Sequence, residues 1–125
     1  MEVLVRVANE KDISDIVKIE NATFECPWTE AAIRKDIEES DDADFIVATT
    51  EEHVIGYIGC WFIANEVQIN NIAVREEFKG LGVGTMMMKA LKDISEKSGA
   101  VGITLEVRDS NEVAKKLYRK MGRKN

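Results

Sequence analysis

One proline, one histidine and two cysteines are all that 125 residues contain of these types, and each scarcity removes a class of explanation. A zinc centre needs about four Cys, His or carboxylate ligands at short spacings. Cys26, Cys60 and His53 are too few and too scattered for that, so no metal is expected. His53 falls in the turn-like stretch 49–53 and reads as a loop residue; both thiols read as reduced and structural. Long apolar runs are missing too: nothing approaches the ~18 consecutive apolar residues of a membrane span. The opening Met1-Glu2-Val3-Leu4-Val5-Arg6 lacks the basic-then-apolar layout of a signal peptide. The expectation is a cytoplasmic protein with no membrane partner. No block of Lys or Arg occurs in the body of the chain and the net charge is −6, so nucleic acid is not expected as a partner. The acidic balance suits a cationic partner such as a peptide amine. Equally, Glu38, Glu39, Asp41 and Asp42 can form no more than a solvated face.

What remains is a chain 45% apolar and 32% charged, which predicts one globular domain over residues 1–125. Residues 1–7 alternate as a strand. Asn9 caps a helix to about Ala22, with Ile13, Ile16, Val17 and Glu20 marking its turns. Phe24-Glu25-Cys26-Pro27-Trp28 interrupts it, and Thr29 caps a second helix through Glu38. The runs 44–50 and 54–64 form a hairpin, and the strand 66–74 follows a turn at Asn65. A helix from Gly82 or Val83 to Ser98 carries Val83, Met87, Leu91 and Ile94 as an apolar stripe, and Gly99 ends it. A strand over 101–107 and a helix over 110–121 complete the order β-α-α-β-β-β-α-β-α, an α/β arrangement with a mixed sheet.

Two local features carry chemistry. In 66–74 the apolar residues fall at Val67 and Ile69, then at Ile72 and Val74, so the alternation slips at Asn70-Asn71 and predicts a β-bulge. Directly after this strand comes Lys79-Gly80-Leu81-Gly82-Val83-Gly84-Thr85. Its alternate glycines let a ligand approach the backbone, and the helix that follows begins with unpartnered N–H groups at the positive end of its dipole. That is the build of a phosphate cradle, or of a glycine-rich helix entry. Neither the Walker pattern nor the dinucleotide fingerprint fits the spacing.

Residues 74–84, Val-Arg-Glu-Glu-Phe-Lys-Gly-Leu-Gly-Val-Gly, resemble the signature of the GNAT N-acetyltransferases, in which Gln/Arg-x-x-Gly-x-Gly/Ala follows a strand ending in Ala-Val. Lys79 stands where Gln or Arg is usual and keeps a donor without the planar fork. Phe24…Pro27-Trp28-Thr29, Asn71-Ile72-Ala73-Val74, Leu105-Glu106-Val107-Arg108-Asp109-Ser110-Asn111 and Lys116-Leu117-Tyr118 follow the family order. They are most similar to the ribosomal-protein alanine (RimI-type) and archaeal N-terminal acetyltransferases. The resemblance implies the GNAT fold, a mixed, mostly antiparallel sheet flanked by helices. It also implies an enzyme that moves an acetyl group from acetyl-CoA to the N-terminal α-amine of a protein or peptide.

By the same resemblance, Lys79, Gly80, Leu81, Gly82, Val83, Gly84 and Thr85 hold the pyrophosphate of acetyl-CoA. The backbone of Ile72, Ala73 and Val74 pairs with the pantetheine arm, and Asn111 contacts the cofactor, or else caps its helix. Glu106, near the C-terminal end of its strand, is the implied general base; its structural alternative is an ion pair with Arg108 or a lysine. Tyr118 is the implied acid for the leaving thiolate, or a half-buried packing residue. Phe24, Glu25 and Trp28 border the acceptor, with Glu25 either holding its ammonium or replacing Glu106 as the base; the structural alternative is a helix–helix corner packed by Trp28. Similar proteins continue beyond Gly122 with a strand hairpin, whereas this chain ends at Asn125. From that we expect either a homo-oligomer through an exposed sheet edge or an acetyl-CoA-binding domain with weak catalysis. Lysine side chains and small amines remain alternative acceptors.

Overall fold

The computed structural model describes residues 2–39, 43–51, 53–105 and 115–116. Its strands are β1 (Leu4–Val7), β2 (Ala43–Thr50), β3 (His53–Ile63), β4 (Glu66–Val74) and β5 (Gly102–Leu105). They lie side by side in chain order. The first three pairings are antiparallel and β4 runs parallel to β5. The helices are α1 (Ile13–Thr23), α2 (Glu30–Glu38) and α3 (Val83–Lys97). This is the expected mixed sheet flanked by helices; of the expected last helix, Lys115 and Lys116 are described, and both are helical.

Side chains alternate across a strand, and here each face buries its own core. On one, Ile46, Ile58, Val67, Ile69, Ile72 and Val74 meet Val83, Met87 and Leu91 of α3. On the other, Phe45, Val47, Tyr57 and Ala73 meet Ile13, Ile16, Ile19 and Ile33 of α1 and α2. The expected stripe of α3 holds, with Ile94 half-buried at its far end. In α1 the stripe runs Ile13, Ile16, Ile19 and Glu20, while Val17 is only half-buried.

The local signals work by the chemistry that suggested them. Thr29 accepts the Ala32 amide at 3.1 Å and starts α2. Asn9 and Asp12 form a reciprocal capping box, but it opens a short 3-10 turn over Glu10–Asp12 before α1 begins at Ile13. There the Asp12 carboxylate reaches back to the Asn9 amide and to Arg6 and tightens the first turn. The β3–β4 hairpin turns on Ala64 and Asn65, both at positive φ, which matches the right-handed twist of the strands it joins.

Two expectations are corrected. His53 is the first residue of β3, paired with Thr50, because the turn is tighter than the polar run suggests. Cys60 is buried in the core, as a structural thiol should be, whereas Cys26 is exposed on the loop after α1.

Candidate active site

β4 is the spine of the candidate site. Gly59 pairs with Asn71 and Cys60 with Ile69, leaving Asn70 as the extra residue of a bulge. The slip in alternation is therefore real, and it turns side chains as well as backbone. Without the bulge, Asn71 would point into the α3 core. With it, both asparagines face α1 and α2: Asn71 meets Glu20, and Asn70 lines a groove beside Gln68. The pairing of β4 with β5 is described as far as Ile69 and Leu105. Beyond it, the side chains of Ile72, Ala73 and Val74 are all buried, so these residues can offer a ligand only their backbone.

A loop from Arg75 to Gly82 joins β4 to α3. Arg75 fastens its start: Nε donates to the Val54 carbonyl at 2.8 Å, its amide donates to the Ile55 carbonyl at 2.8 Å, and the guanidinium lies 3.6 Å from Asp15 of α1. The carboxylate of Asp15 also accepts the Val54 amide at 3.2 Å. At the other end Gly80 and Gly82 have φ of 81° and 82°, and a Cβ built on either meets nothing within 4 Å. Gly82 caps α3 without a side chain, and the helix ladder opens with the Met86 amide on the Gly82 carbonyl at 3.0 Å. The amides of Val83, Gly84 and Thr85 therefore have no acceptor within the helix. Val83 anchors the turn in the core and Leu81 projects into solvent. The Lys79 ammonium sits 2.8 Å from Glu76; such an exposed pair contributes at most about 1 kcal/mol and readily exchanges for another anion.

On the opposite face lies the loop between α1 and α2. Phe24 is buried in the α1–α2 core, while Glu25 and Cys26 are exposed. The half-buried Trp28 lines an open groove of about 600 Å³ with Ala32, Lys35 and Asp36 of α2, Trp61 of β3, and Gln68 and Asn70 of β4. Burial pushes the Asp36 carboxyl up from its ordinary value, against the pull of Lys35.

Behind the groove is a polar cluster centred on Glu20, whose spacing in the sequence marks only a turn of α1. Glu20 is 1% exposed. One of its oxygens accepts from the Tyr57 hydroxyl and from Asn71 Nδ2, the latter at 2.6 Å. The other accepts the Trp28 amide at 2.8 Å. The available signal was an acid on the apolar stripe of an amphipathic helix, opposite an asparagine at the point where a strand loses its alternation. Glu106, Asn111 and Tyr118 lie outside the described residues. Among the described residues, no group of three or more His, Cys, Asp or Glu is placed to hold a metal, and no helix is long and apolar enough to cross a membrane.

A bulged strand, a left-handed glycine turn and a helix that opens with three amides lacking intrahelical acceptors occur here in succession. The model of the acetyltransferase (GNAT) family matches residues 13–122, which include all three. The chain belongs to the GNAT family. It is 32% identical over 118 residues to the putative ribosomal protein bS18-alanine N-acetyltransferase of Bacillus subtilis (strain 168), across 94% of this chain and 78% of that one. It is likewise 32% identical over 134 residues to an N-alpha-acetyltransferase of Sulfurisphaera tokodaii, across 97% and 80%. The fold superposes on the crystal structure of the ribosomal-protein-S18-alanine N-acetyltransferase from Escherichia coli with a TM-score of 0.84 at 24% identity, covering 97% of this chain and 77% of that one. This GNAT protein is therefore an acetyltransferase.

Proposed function

We propose that this GNAT protein transfers the acetyl group of acetyl-CoA to the α-amine at the N-terminus of a protein or peptide. The observation that carries the proposal is the succession of an asparagine bulge beside an open groove in the middle of β4 and a left-handed glycine turn after its end. The relatives named above as alanine and N-alpha-acetyltransferases support the choice of acceptor.

The residues present fit a diphosphate. Space is open where side chains at 80 and 82 would stand, and the amides of residues 83–85 lie at the positive end of α3. Loop residues 79–85 would hold the pyrophosphate, with the backbone of Ile72, Ala73 and Val74 along the pantetheine arm and Asn111 as a further contact. When bound, the cofactor supplies an activated acetyl thioester. Transfer forms a bond from the amine nitrogen to the acetyl carbon and breaks the carbon–sulfur bond. An α-amine has a pKa near ~8, so most of it is protonated at neutral pH and a base must take its proton. We assign that role to Glu106 and the protonation of the departing thiolate to Tyr118. Glu25 and Trp28 border the entering amine, and Phe24 fixes their loop from within the core. On the same reading we assign the protein to the cytoplasm.

Thiol release from acetyl-CoA tests the reading. Peptides with a free N-terminus should release thiol, and the same peptides with a blocked N-terminus should not. Equal release from both, or from neither, contradicts the proposal.

A further inference from the structure

We infer that Glu20 is a positioning residue for the acceptor side of the site, holding the loop over residues 24–28 against the bulge of β4. The inference rests on the functional reading above and adds the residue that sets its geometry.

Position 20 belongs to the buried stripe of α1, one turn beyond Ile16, between Ile19 and the buried Phe24. An aliphatic side chain would continue that stripe at no desolvation cost, and replacing buried polar groups with apolar ones of similar volume is commonly neutral or stabilising. A carboxylate here has to be explained by what it holds. Its two oxygens reach two segments that carry opposite walls of the groove. Oε2 accepts the amide of Trp28, whose indole lines one wall. Oε1 accepts Asn71 Nδ2 and the Tyr57 hydroxyl, and Asn71 follows Asn70, which lines the other wall. Asn71 Nδ2 also lies 3.3 Å from the Tyr57 hydroxyl, which ties the cluster to β3. The loop is thereby registered to a bulged strand through one side chain, and the width of the groove follows from it. A loop on a buried anchor keeps its geometry without spending binding energy to order it.

The chemistry of the carboxylate selects the test. Trp28, Asn71 and Tyr57 each donate to it. In Glu20→Gln the amide must turn its NH2 toward either the Trp28 N–H or the pair formed by Asn71 and Tyr57. The bridge is weakened on one side while the volume stays. Steady-state kinetics of the full chain with an N-terminal peptide should then show the peptide KM rising about tenfold, with kcat and the acetyl-CoA KM within about twofold of wild type. Hydrogen exchange gives a second readout independent of turnover. The Trp28 amide should exchange faster in the variant, and the Val54 amide, held by Asp15 rather than Glu20, should not. A parallel loss for both substrates, or an unchanged peptide KM with an unchanged Trp28 amide, overturns the inference. If Glu20→Gln does not fold, Tyr57→Phe, which removes one donor and no packing, must raise the peptide KM selectively for the inference to stand. If the wild type acetylates no peptide, the functional reading has failed, and the exchange of the Trp28 amide alone decides whether Glu20 holds the loop.

Discussion

Asp12 receives the Arg6 guanidinium in two hydrogen bonds, of 2.7 and 2.9 Å, and the Asn9 amide in a third of 2.8 Å. Burial works against its charge, yet these partners outweigh burial and hold its pKa below the ordinary aspartate value. A carboxyl with a depressed folded pKa contributes stability that is present above its unfolded pKa and is lost as pH falls through the folded value. The urea midpoint of the wild type should therefore exceed that of Asp12→Asn at neutral pH, with the gap closing below about pH 4. A gap that widens in acid contradicts this. Arg6 is itself well exposed, so solvent screens the pair and the effect is modest. Gly82 offers a second residue-scale test. At φ 82° a side chain costs roughly 1–2 kcal/mol in backbone strain, while its Cβ meets open space. Gly82→Ala should fold, and calorimetry should find its acetyl-CoA affinity down about tenfold, the equivalent of 1.4 kcal/mol. Unchanged affinity would remove the glycine turn from the cofactor site.

At the scale of elements, β4 shows what was legible and why. Its ends and its bulge were readable because two apolar pairs out of phase can share one core only if a residue is inserted between them. That logic gives an unusual prediction. Deleting Asn70 leaves Val67, Ile69, Ile72 and Val74 in unbroken alternation, all on the α3 face they already occupy. The deletion should therefore keep or raise the melting temperature and, on the proposed function, still depress acetyl transfer at least about tenfold, since the core does not need the bulge. A variant that melts early, or one that works normally, argues against this. The boundaries of α2 were equally legible, since Thr29 caps it with its own hydroxyl. Less was legible in α1, where spacing marks Glu20 as a buried position but is silent on its partners. Tyr57 and Asn71 lie 37 and 51 residues away, and only the folded sheet brings them to it. Arg75 and Asp15 were hidden in the same way: each reads as an ordinary surface charge until β3 comes between them.

At the scale of the molecule, one sheet separates the two tasks we propose. The end of β4 leads into the glycine turn at α3, while the opposite face carries the loop and groove that we assign to the amine. A net charge of −6 suits a cationic acceptor by long-range attraction. Fold and family came from several ordered motifs together, whereas the glycine loop alone was equally consistent with an ordinary helix entry. The choice of amine is the central claim, and one measurement bears on it directly. A peptide with a free N-terminus and an internal lysine is incubated with acetyl-CoA and the protein, and the acetyl group is located by fragmentation mass spectrometry. The account predicts one acetyl group on the α-amine, and its absence when Glu106→Gln replaces the wild type. Acetylation of the lysine, or an unmodified peptide from a protein that demonstrably binds acetyl-CoA, would contradict it.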